Sequence, residues 1–137
     1  MAANTSPIYT GTPDVQWATP ITTANTAKDG TGTVATVFTA DATNGGYVVK
    51  VIGRPAGSNT ASVARVFVNN GSTNATPANN TLIAEVSLPT TTLSEVAAIT
   101  GVEIPLNFAL PAGYKLNVVI GTTVAAGWAF SAIGGKY

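Results

Sequence analysis

Ala61-Ser62-Val63-Ala64-Arg65-Val66-Phe67-Val68 decides the fold. In an extended chain, Val63, Arg65 and Phe67 fall on one side and Ala64, Val66 and Val68 on the other, because strand side chains alternate with period two. β-Branched and aromatic residues suit such a pleated surface. Turn formers bound the stretch: Pro55-Ala56-Gly57-Ser58-Asn59 precedes it, and a polar run with Asn70-Gly71 and Pro77 follows.

The same reading extends outward in both directions. Thr33 to Ala40 is a predicted strand, and Asn44-Gly45-Gly46 turns it into Tyr47 to Arg54. Leu82 to Leu88 is predicted to turn Leu82, Ala84, Val86 and Leu88 inward and Glu85 and Ser87 outward. Val102 to Phe108 contains Pro105, which cannot donate to a ladder, so this strand is predicted to be an edge or bulged strand. Tyr114 to Ile120 and Gly127 to Ile133 complete the series, with Trp128, Phe130 and Ala132 sharing a core face. Leu93 to Ile99 reads as one or two helical turns or a further strand. Short alternating strands spaced by turn signals predict an all-β, antiparallel sandwich or barrel.

Composition limits the chemistry. The 137 residues suit one domain. Charged residues make up 9% of the chain, against the usual ~25%, and six basic residues balance six acidic ones. A neutral chain without a basic cluster has no footprint for direct nucleic-acid binding. The chain has no His and no Cys, so the commonest general base and all thiolate ligands are missing. No apolar run approaches the ~20 residues of a membrane span. Met1 to Pro7 shows no basic region followed by an apolar stretch, so synthesis in the cytoplasm is expected. The expectation is a non-enzymatic protein with no catalytic residue, cofactor, metal or membrane partner. Weak charge protects poorly against self-association, which is easier to understand if other subunits cover the surface.

Residues 1–28 read as an extended N-terminal arm and residues 29–137 as the β-sandwich domain. Pro7, Pro13 and Pro20 interrupt any helix in the arm. Ile8, Tyr9, Val15, Trp17 and Ile21 stand out against a Thr, Ala and Asn background, and disordered tails seldom carry such residues. They are the candidate partner-binding residues, whether the arm docks on its own fold or on a neighbour.

Other constellations read as ordinary structure. Gly30-Thr31-Gly32 resembles the start of a dinucleotide fingerprint but lacks the strand before and the helix after, so it is a predicted turn. Asp29 and Asp41, with Asn44 nearby, could offer oxygen ligands, yet no alternating Asp/Asn run makes a calcium loop. Arg65, in mid-strand, is either solvated on one face or paired with a carboxylate across an interface, with Glu85 or Glu103 as the candidate partner. Trp128, Phe130 and Tyr137 could form a stacking platform, but strand spacing puts the first two in the core.

A Thr/Ala/Asn/Gly-rich chain without Cys, with an extended arm before a small sandwich, resembles the small head decoration (cement) proteins of tailed bacteriophages. The segment from Ile104 to Leu116, with its Leu110-Pro111-Ala112-Gly113 turn, is similar to a turn between late strands of jelly-roll virion proteins. The resemblance implies a jelly-roll-like β-sandwich that forms a homotrimer on the capsid surface of the virion and staples adjacent copies of the major capsid protein. Phage tail or fibre modules and carbohydrate-binding β-sandwich modules share these features and stand as the alternative.

Overall fold

The computed structural model describes residues 10–137. Its strands are β1 (Thr12–Trp17), β2 (Ala35–Thr39), β3 (Gly46–Pro55), β4 (Ser62–Asn69), β5 (Asn80–Leu88), β6 (Val102–Leu110), β7 (Lys115–Ile120) and β8 (Trp128–Lys136). They form two antiparallel four-stranded sheets, ordered β1-β8-β3-β6 and β2-β7-β4-β5. This order winds two Greek keys together and is the jelly-roll form of the β-sandwich.

The predicted alternation places the core. Val48 and Val51 of β3 and Trp128, Phe130 and Ala132 of β8 are fully or almost fully buried in one sheet. Phe38, Ala64, Val66, Leu116, Val118 and Ile120 meet them from the other. Each large apolar side chain so buried is worth about 1.5–3 kcal/mol. The Gly134 position of β8 admits no side chain, since a Cβ there would collide with the Tyr47 carbonyl of β3. β6 is an edge strand, as Pro105 requires, and its pairing with β3 shifts register between Val48 and Lys50. Asn107 sits in that irregularity with φ +54°, in the left-handed region that Asn tolerates better than most residues.

Three details depart from plain alternation. A register shift in β3 between Val48 and Lys50 turns both Val48 and Val51 into the core and leaves Val49 40% exposed. A register shift in β5 pairs Leu82 with Phe67, so Leu82 leaves the core face and is 40% exposed, whereas Leu88 is buried. Residues 93–99 form neither helix nor strand but a bent loop, secured where Thr91 bridges to Asn59.

The segment read as an arm is partly built into the sandwich. Residues 12–17 are β1 and pair with β8 along its length. Beyond them, Ile21 bridges to Trp128, Asn25 N–H donates to the Ile120 carbonyl at 2.9 Å, and Val124 N–H donates to the Thr22 carbonyl at 2.9 Å. The Gln16 side chain joins the two sheets at this edge: its amide donates to the Thr39 carbonyl at 2.9 Å and its oxygen accepts from Thr39 N–H at 2.9 Å. Ile8 and Tyr9 lie outside the described residues.

The outward side of the second sheet is also covered. Phe67, Arg65, Val119 and Asn117 are buried although they face away from the core. The β1–β2 connection runs along this side, anchored at Asn25 N–H on the Ile120 carbonyl at the end of β7 and, at its tip, beside the start of β5. There Asn74 Nδ2 donates to the carbonyls of Gly30 (3.2 Å) and Gly32 (2.8 Å), and Asn80 Nδ2 donates to that of Asp29 (3.1 Å). Arg65 finds its partner in Glu85, directly across on β5, at 3.4 Å.

Candidate contact face

β1 presents its side chains in an unusual sense. Asp14 and Gln16 are half-buried, while Val15 is 52% and Trp17 71% exposed. The cause is Gln16: its two bonds to Thr39 fix the inward side of β1, so Val15 and Trp17 must point outward. Both lie on the outer face of the β1-β8-β3-β6 sheet. Register sets Val15 beside Ile133, which adjoins Lys50, and Trp17 beside Ser131, which adjoins Ile52. Lys50 pairs with Glu103 at 3.2 Å, and both are open enough to solvent that the pair adds little stability. The face therefore mixes apolar Val15, Trp17, Ile52 and Ile133 with the Lys50–Glu103 pair and the exposed guanidinium of Arg54, which the register sets opposite Ala129.

Topology gathers more apolar groups at the end of the sandwich where β1 finishes. The connections 18–34, 56–61, 89–101 and 121–127 all emerge there. The 89–101 loop carries Leu93, 57% exposed, and Val96, 98% exposed. Its shape is fixed: Leu93 N–H donates to Ser58 Oγ at 2.8 Å, and Ser94 Oγ accepts from Val96 and Ala97 N–H, each at 3.2 Å. Beneath it, buried Asn59 ties three connections together. Its Oδ1 accepts from Ala126 and Gly127 N–H, each at 2.9 Å, and its Nδ2 donates to the Gly127 carbonyl at 2.9 Å. Thr91 Oγ1 meanwhile donates to the Gly57 carbonyl at 2.7 Å. The loop tips are held on a rigid base.

A groove of about 880 Å³ starts just past Trp17. Its lining runs through Pro20, Thr22, Asn25, Thr33 and Thr36 and contains no ionisable side chain. A second, smaller cleft of about 290 Å³ opens between β5 and β6, lined by Ile83, Ala84, Pro105, Leu106 and Phe108.

The structure brings Val15 and Trp17 together and sends Ile21 elsewhere, against Trp128 and the core. Leu93 and Val96 join Val15 and Trp17 as exposed apolar residues, and the sequence marks these two only by their isolation in a polar, Thr-rich stretch. Trp128 and Phe130 are core residues, while Tyr137 is half-buried with its N–H near the Gly45 carbonyl at 3.4 Å. Asp29 and Asp41 each serve their own turn. The Thr31 hydroxyl and N–H hold the Asp29 carboxyl below its usual range, and the Asn44 and Thr43 N–H groups do the same for Asp41. Among the described residues no three His, Cys, Asp or Glu side chains cluster as a metal site, and no helix is long and apolar enough to cross a membrane.

Comparison with family models, with curated proteins and with solved structures finds no match to this chain.

Proposed function

We propose that this protein is a non-enzymatic capsid decoration, or cement, protein that binds the outside of a phage head as a homotrimer and staples adjacent major capsid proteins. The observation that carries the reading is the outward-facing Trp17, 71% exposed on an edge strand fixed from behind by Gln16. Large aromatic side chains are seldom left in water on a rigid surface, and they are the commonest anchors of protein contacts. Val15, Leu93 and Val96 extend the same end of the molecule. Each contact is weak alone, but a trimer engages several at once, and effective concentration converts modest contacts into firm attachment.

The test is co-sedimentation with phage heads assembled from the major capsid protein of the same genome. Wild-type protein is expected to pellet with the heads and Trp17→Ala to remain in the supernatant. Equal pelleting of both removes Trp17 as the anchor, and failure of the wild type to pellet overturns the decoration role.

The Thr-lined groove next to Trp17 favours a second reading, a glycan-binding module of a tail or fibre, since an aromatic beside hydroxyl and amide groups suits a sugar. Retention of the protein on a glycan array, lost in Trp17→Ala, would support that reading in place of the first.

A further inference from the structure

Two Asn-Gly dipeptides interrupt the chain, Asn44-Gly45 and Asn70-Gly71, both exposed at the asparagine. Such pairs undergo spontaneous cyclisation, because glycine leaves its own nitrogen open to approach. We propose that Asn44 is a spontaneous deamidation site of the folded protein and that the fold protects Asn70 from the same reaction. The step balances without any catalyst. The Gly45 nitrogen loses its proton and attacks Asn44 Cγ, a succinimide forms, and ammonia leaves. Water then opens the ring at either carbonyl to give Asp or isoaspartate.

The geometry separates the two sites. At Asn70 both reacting groups are occupied. The carboxamide oxygen accepts from Ser72 N–H at 3.1 Å, Nδ2 donates to Asn79 Oδ1 at 3.2 Å, and Gly71 N–H donates to Asn69 Oδ1 at 2.8 Å. Asn69 is itself buried and held by its bond to Asn80 at 2.8 Å, so the lock is rigid. At Asn44 the carboxamide has no hydrogen-bond partner among the described residues; only the nucleophile is restrained, with Gly45 N–H on the Asp41 carbonyl at 3.0 Å. Gly45 itself is buried and takes φ +77°, while the Asn44 side chain beside it stays exposed. Two further hydrogen bonds must open before Asn70 can react, which slows it roughly ten- to thirtyfold relative to Asn44. Each event at Asn44 adds one negative charge to a chain whose formal net charge is zero, at the end of the sandwich opposite Trp17.

The experiment is peptide mapping by mass spectrometry after incubation at mildly alkaline pH, folded and in concentrated urea. In the folded protein, the 1 Da gain is expected at Asn44 well ahead of Asn70, by roughly the factor above. In urea the two sites are expected to react at similar rates. Asn79→Ala, which removes the acceptor of Asn70 Nδ2, is expected to accelerate Asn70 in the folded state and leave Asn44 unchanged. Conversion of Asn70 as fast as Asn44 in the folded protein would overturn the proposal. So would the same preference for Asn44 persisting in urea, because it would then come from local sequence and not from the fold.

Discussion

Replacing Asn59 with Ala should destabilise the protein by about 3 kcal/mol, because two backbone N–H groups, those of Ala126 and Gly127, lose their acceptor. Gly127 is buried, so water cannot readily take over, while its carbonyl loses Asn59 Nδ2 but keeps Ala56 N–H at 2.9 Å. The estimate therefore counts one fully orphaned donor, one half-exposed donor and a weakened acceptor. For a chain of this length, roughly 3–4 °C is lost per kcal/mol, so thermal unfolding followed by circular dichroism should show Tm lower by about 10 °C. The matched control is Asn70→Ala, whose side-chain bonds lie at the surface and whose loss should cost less than about 1 kcal/mol. Near-equal Tm values for the two variants would refute the claim that Asn59 organises the loop end. A second readout follows from the same geometry: native-state hydrogen exchange at Ala126 and Gly127 should rise in Asn59→Ala before global unfolding does.

Phe67→Ala should cost about 3–5 kcal/mol in denaturant unfolding, the value for a fully buried aromatic, although alternation puts Phe67 on the side away from the core; a cost under about 0.5 kcal/mol would mean that this side of the sheet is open to water. Gln16→Ala should cost about 1–2 kcal/mol through its two lost bonds to Thr39, with Gln16→Glu failing to restore them because a carboxylate cannot donate to the Thr39 carbonyl; full stability of Gln16→Glu would contradict the two-way pairing. Asp29 and Asp41 are both held below their ordinary value of 3.8, so each favours the folded state above that pH and loses its contribution as pH falls through the lowered folded value. Unfolding curves of Asp41→Asn should accordingly run closer to the wild type at strongly acid pH than at neutral pH, and a constant difference across the range would count against the turn bonds.

Much of the sandwich is legible from alternation, and its exceptions have local causes. β4, β7 and β8 largely follow period two because both their neighbours are strands, whereas β3 changes parity at Val49, where its pairing with both neighbours shifts register. β1 escapes notice because its pattern is inverted: polar Asp14 and Gln16 turn toward the gap between sheets while Val15 and Trp17 face water. Its existence depends on β8, more than a hundred residues away, and on the Gln16–Thr39 bonds, which no local pattern reveals. Leu82 is misplaced by one residue of register shift, a pairing event invisible within a single strand. The Arg65–Glu85 pair was within reach, since an isolated mid-strand arginine needs a carboxylate and Glu85 sits at outward parity on the following strand. Of the candidate contact residues, Trp17 and Val15 are legible by rarity in a Thr-rich segment, whereas Leu93 and Val96 stand out only once the loops share one end.

The solution mass of the purified protein, measured by light scattering alongside its Trp17→Ala variant, tests the central claim most directly. A stable trimer for both, with only the wild type sedimenting with heads, is the expected result. A monomer that does not bind heads would contradict the decoration role.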